Sequence, residues 1–147
     1  MMATAPLLTI GYEGRTVDEF LTALEAAGAE LVIDVRAIAA SRRPGFSKSA
    51  LAAALKERGI DYLHLRSLGT PKAGREAARK GRIAKMRAIY EEQLATPEAA
   101  LAMEQAREEA GRRRSALLCY EADVGGCHRA VVAERLAERG GFEIRNL

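Results

Sequence analysis

The chain has 147 residues, 48% of them hydrophobic, with two cysteines and a formal net charge of +3. This length supports one sizeable core and leaves no room for a second domain of ordinary size, so a single domain over 1–147 is expected. No apolar run approaches the roughly 20 residues that cross a bilayer, and no charged region precedes an apolar one at the start, which points to a cytoplasmic protein without a membrane role.

Leu7 to Ile10 is a short apolar run of the kind a buried strand shows, and Gly11-Tyr-Glu-Gly14 punctuates it. A helix should follow: Thr16 and Glu19 stand as a capping box, Val17, Phe20, Leu21 and Leu24 share one face, and Gly28 supplies the stop. The continuous, β-branched Leu31 to Val35 reads as a central parallel strand covered on both faces, ending among the charges of Asp34 and Arg36. A loop from Ala37 to Phe46 carries Ser41, Arg42, Arg43, Pro44 and Gly45. Ser47 or Ser49 can then cap a helix bearing Leu51 and Leu55.

Ile60 to Leu65 alternates as a third strand would, with Tyr62 and His64 on the same side. From about 70 to 111 the pattern is helical, with Ile83, Met86, Tyr90 and Leu94 as an apolar stripe and a restart at Thr96-Pro97. This insertion between the third and fourth strands suits layer packing better than a lid. Ser115 to Cys119 is the fourth strand, a helical face with Val131, Val132 and Leu136 follows, and Phe142 to Ile144 suits a last strand. The whole predicts an α/β fold: a three-layer, Rossmann-like sandwich with a mainly parallel sheet of about five strands and helices on both faces.

Charge is unevenly placed. Between Lys72 and Arg87 there are seven basic residues against one acid, Glu76, and Arg112, Arg113 and Arg114 form a second cluster. Arg75, Arg79 and Arg82 with Arg112 to Arg114 are where a nucleic acid would be held, although a solvated helix face has the same appearance. Neither G-x-G-x-x-G nor G-x-x-x-x-G-K-[ST] occurs, so no nucleotide cofactor site is written. The two cysteines lack CxxC spacing and make no secreted framework, so reduced thiols are expected.

The segment Cys119-Tyr-Glu-Ala-Asp-Val-Gly-Gly-Cys-His-Arg129 concentrates chemistry in eleven positions that run from a strand end to a helix start. Together with Thr9-Ile-Gly-Tyr-Glu-Gly14, Asp34-Val-Arg36, Ser41, Pro44-Gly-Phe-Ser-Lys48, Gly59-Ile60 and Leu68-Gly69, it resembles the bacterial family catalogued as domain of unknown function 488, from Thr9 nearly to the C-terminus. The resemblance implies an α/β domain whose signature residues meet at one sheet edge, and it supplies no reaction. Ala39 stands where members of that family typically carry proline.

If the strands are parallel, the loops after Ile10, Asp34, Leu65 and Cys119 open on one edge, where ligands of α/β sheets sit. The expected catalytic groups are Glu121, Cys127, His128 and Asp34. The expected ligand-binding groups are Tyr12, Gly14, Arg36, Ser41 and Arg129, acting on a small anionic or phosphorylated ligand. Cys127 beside His128 and Arg129 has the surroundings of a thiolate, whereas Cys119 reads as packing. A cysteine phosphatase loop is disfavoured, because Gly125 and Ala133 occupy the arginine position of C-x5-R after the two cysteines. Two alternatives stay open: a metal centre on Cys119, Cys127 and His128, completed by Glu121 or His64, and a non-catalytic anion- or nucleic-acid-binding module. The metal centre is the less favoured, since adjacent Cys127 and His128 must turn to one ion and Cys119 must leave the core.

Overall fold

The computed structural model describes residues 5–122 and 127–147. Five strands, β1 (Pro6–Gly11), β2 (Leu31–Asp34), β3 (Asp61–His64), β4 (Ser115–Cys119) and β5 (Glu143–Asn146), form one sheet in the order β3-β2-β4-β1-β5. All pairings are parallel. Gly11 is in register with Cys119, and Asp34 with both His64 and Leu118, so four strands present their last residues on one edge.

The continuous apolar strands divide their side chains between two cores, as strands buried on both faces must. Leu8, Ile10, Val32, Ala116 and Leu118 pack against α1 (Val17–Ala26) and α2 (Lys48–Glu57) through Phe20, Leu24, Leu51 and Leu55. On the other face Leu7, Leu31, Ile33 and Leu117 meet Tyr90 and Leu94 of α4 (Ile83–Leu94), Met103 and Ala106 of α5 (Pro97–Arg112), and Val132 and Leu136 of α6 (Arg129–Gly140). Each fully buried Leu, Ile, Val or Phe among them contributes about 1.5–3 kcal/mol.

Local signals set the helix ends. The Thr16 hydroxyl accepts from the Glu19 N–H at 3.1 Å and the Glu19 carboxylate accepts from the Thr16 N–H at 2.9 Å, completing the capping box. Thr96 caps α5 with proline at its first turn. Ser47 precedes α2 without a side-chain capping bond, because its hydroxyl is engaged with Ser41 across the loop. The helical region expected from about 70 to 111 is three helices, since α3 (Lys72–Arg79) ends ahead of Gly81, whose φ of 74° breaks the helix before α4. A short 3-10 turn, Arg66–Leu68, joins β3 to this region. No helix among the described residues is long and apolar enough to cross a membrane.

Candidate functional site

The carboxyl ends of β1, β2 and β4 converge on the segment that follows β4. Gly11 and Cys119 are direct neighbours, and the Glu13 N–H donates to the Tyr120 carbonyl at 2.8 Å. A Cβ on Gly11 would run into the Glu121 carbonyl and the Arg129 guanidinium, so only glycine lets β1 and the post-β4 chain approach this closely. Arg129 is fully buried. It donates from Nη1 to Cys119 Sγ at 3.1 Å and to the Glu121 carbonyl, and from Nη2 to the Ala122 carbonyl at 3.2 Å. It therefore holds the start of the segment in place.

Cys119 and Cys127 bring their Sγ atoms together, with Cα atoms 7.4 Å apart. Cys119 is buried, as expected of a packed residue, but the expectation that the two thiols stand apart does not hold. Cys119 ends β4, so its side chain leaves the sheet at the edge where the chain returns to begin α6. The charges are also distributed otherwise than expected: the Arg129 guanidinium is on Cys119, while Cys127 Sγ receives the Arg129 backbone N–H at 3.4 Å. The expected Gly125-Gly126 turn lies outside the described residues.

His128 does not supply the positive charge assigned to it. Its Nε2 lies 2.7 Å from the Val35 carbonyl, which can only accept, so Nε2 carries the proton and Nδ1 is a bare acceptor 3.7 Å from Cys127 Sγ. The ring packs edge-on against Tyr90. Burial pushes its pKa down to about 4, and the imidazole is neutral around neutral pH. Glu121 moves the opposite way: burial raises its carboxyl above the usual range, Glu13 adds to this, and Arg129 opposes it.

Asp34 and Arg36 form a pillar of the site. Asp34 is fully buried and accepts from Arg36 Nη2 at 2.7 Å, from Arg36 Nε at 2.9 Å and from the Tyr62 hydroxyl. Arg36 Nη1 reaches the Phe46 carbonyl at 2.8 Å and the Tyr12 hydroxyl at 3.4 Å. With its partners satisfied, Asp34 has the environment of a structural ion pair and not of a general base. His64 is spent likewise, with Nε2 2.7 Å from the Arg36 carbonyl.

Above this floor opens a cleft of about 940 Å³. Tyr12, Arg36, Cys119, Tyr120, Glu121 and His128 line one side; Arg42, Lys72, Arg75 and Arg79 bring four cations to it, faced by Glu13 and Glu121 as the acids. Of the expected site residues, Gly14 is an exposed turn residue with φ 75°, and Ser41 organises its own loop by accepting from the Arg43 N–H at 3.1 Å; neither lines the cleft. Arg42 and Lys72 had no local signal beyond their charge, and Arg43 was read only as a loop residue. Arg43 donates to the Tyr12 carbonyl at 2.8 Å and to the Arg15 carbonyl, clasping the loops after β1 and β2 together.

The other basic residues are elsewhere. Arg82 lines a separate hollow of about 100 Å³. Arg112, Arg113 and Arg114 precede β4 at the opposite sheet edge, where Arg113 pairs with Asp61 and Glu109, Arg112 with Glu109, and Arg114 donates to the Ala27 carbonyl at 3.1 Å. Fold and cleft thus define a parallel α/β domain with a cation-lined, ligand-sized site at the carboxyl edge of its sheet. Residues 16–136 match the family described as Domain of unknown function DUF488, and the chain belongs to that family. Comparison with curated proteins and with solved structures finds no match.

Proposed function

We propose that this protein is an enzyme acting on a small phosphorylated or otherwise anionic ligand in the cleft between the β4 edge and α3. The observation that carries this reading is the placement of four cationic side chains, Arg42, Lys72, Arg75 and Arg79, around a cleft whose floor holds Glu121. Cations on a concave, partly apolar wall focus field and desolvate the ligand, so each is worth more than on an open surface. Glu121, whose carboxyl burial pushes above the usual range, is placed to act as a general acid toward a leaving oxygen in a hydrolase- or transferase-type reaction. The neutral His128 and the Asp34–Arg36 pair position the floor.

The test uses a panel of phosphate esters and anhydrides. Glu121→Gln should lower turnover of whichever is processed by about 10²–10⁴-fold while leaving binding intact. Arg79→Gln should weaken binding and reduce its salt dependence. Turnover unchanged in Glu121→Gln would remove Glu121 from the mechanism.

A second reading has its own observation. Cys119 Sγ, Cys127 Sγ and a Glu121 carboxylate oxygen all lie within 4.8 Å of one another. His128 Nδ1 is 3.7 Å from Cys127 Sγ. Both sulfurs and Glu121 thus stand close enough to share one ion, with His128 outside that group, and a reduced pair of thiolates beside a carboxylate suits zinc or another soft divalent ion. Protein reduced with a phosphine in chelator-free buffer should then bind cobalt(II) with thiolate charge-transfer absorption that Cys119→Ser abolishes. Absence of those bands in the reduced protein sinks this reading.

A further inference from the structure

We infer that the ligand of the cleft is a free nucleotide of the nucleoside diphosphate type, its base stacked on Tyr120 and its phosphates held by Lys72, Arg75 and Arg79. This rests on the anionic-ligand reading above and names the ligand class for it. Among the described residues the exposed large hydrophobic side chains are Ile38, Leu101 and Tyr120, and two of the three, Ile38 and Tyr120, line this one cleft. Its lining therefore offers two kinds of contact: exposed apolar surface on Ile38 and Tyr120, and cations on α3. An inorganic anion would use only the second part. A molecule with a planar ring joined to phosphates uses both.

The aromatic side is built in advance. The Tyr120 carbonyl accepts from the Glu13 N–H at 2.8 Å, which fixes the residue's backbone to the end of β1. Its ring rests edge-on against Tyr12 at 5.2 Å between centroids, and Tyr12 in turn stacks on Phe46 at 4.4 Å. Tyr12 is 4% exposed and Tyr120 43%, so the aromatic series ends in one ring that water now covers and a base could cover instead. A ring held by its neighbours loses little freedom on binding, which favours a planar partner. Phosphates would be met by side chains and not by a glycine-rich backbone loop, consistent with the absence of G-x-G-x-x-G and G-x-x-x-x-G-K-[ST] from the sequence. A cleft of about 940 Å³ accommodates a nucleotide with room for a second reactant.

Calorimetric titration of the whole protein with ADP, with pyrophosphate and with a ten-residue deoxyadenosine oligonucleotide tests this. ADP should bind about tenfold more tightly than pyrophosphate, the increment expected of one stacked base. Tyr120→Ala should abolish that preference without changing pyrophosphate binding, Tyr120→Phe should keep it, and Arg79→Gln should weaken both ligands. Equal binding of ADP and pyrophosphate overturns the nucleotide and leaves the anion site standing, whereas binding of neither overturns the anion reading itself. A preference for ADP that survives in Tyr120→Ala removes the base from Tyr120. An oligonucleotide that binds more tightly than ADP replaces the free nucleotide with a strand.

Discussion

Gly11 is the residue on which the geometry of the site most depends. It ends β1 where the chain after β4 crosses it, and any Cβ would displace the Glu121 backbone and the buried Arg129. Gly11→Ala should therefore cost about 1–3 kcal/mol, the usual range for an intrusion into a packed region, read as a lower urea midpoint. An unchanged midpoint would mean that the two strand ends do not touch. The sequence marks Gly11 only as turn punctuation, since a close approach between segments 110 positions apart leaves no local trace. The same limit explains Gly14 and Ser41. Their types suit ligand loops, yet Gly14 makes an exposed turn and Ser41 braces its own loop. Asp34 and Arg36 were legible as charges at a strand end, but whether such a pair serves a ligand or the fold depends on the carbonyl of Phe46 and the hydroxyl of Tyr62, which only folding brings near.

Elements were more legible than residues, because periodicity and capping act within a few positions. The run Leu31 to Val35 reads as a strand buried on both faces, and Leu31–Asp34 is one. Thr16 with Glu19, and Thr96 with Pro97, place two helix starts through bonds made inside a single turn. The helical insertion was harder. Tyr90 and Leu94 of α4 pack in the core, as an apolar stripe should, while α3 packs there through Ala77 and carries Lys72, Arg75 and Arg79 to the cleft. Both are helical in sequence, and the basic run that fills α3 continues through Lys85 and Arg87 into α4. What separates them is the turn at Lys80 to Arg82 and the Arg75 side chain, which donates to the Thr70 carbonyl at 2.8 Å and ties α3 back to the loop after β3. The cysteine segment divides in the same way: its place between a strand and a helix was readable, but the meeting of its two sulfurs follows from where β4 ends relative to α6.

At the scale of the whole molecule, His128 links the sheet to the helical layer, since its ring joins the end of β2 through Val35 and packs on Tyr90 of α4. Burial moves its pKa from 6.5 to about 4; the positive charges of Arg129 and Arg75 push the same way, and the Val35 carbonyl and Asp34 oppose them. Between these two values the unfolded chain holds a proton on this ring and the folded chain does not, so stability rises with pH across the window. The contribution is complete above about pH 6.5 and is lost as pH falls through about 4, amounting at its limit to about 3 kcal/mol at 1.36 kcal/mol per pKa unit. Urea unfolding at pH 7.5 and at pH 4.5 measures it. The wild type should lose most of this amount over the interval, and His128→Gln, which cannot titrate, should lose correspondingly less from whatever stability it begins with. Carboxylates protonating near their ordinary values, about 4, act on both proteins alike and mainly at the lower end. A difference already open at pH 5.5 therefore belongs to His128, and equal losses in the two proteins would mean that its ring is solvated in the fold.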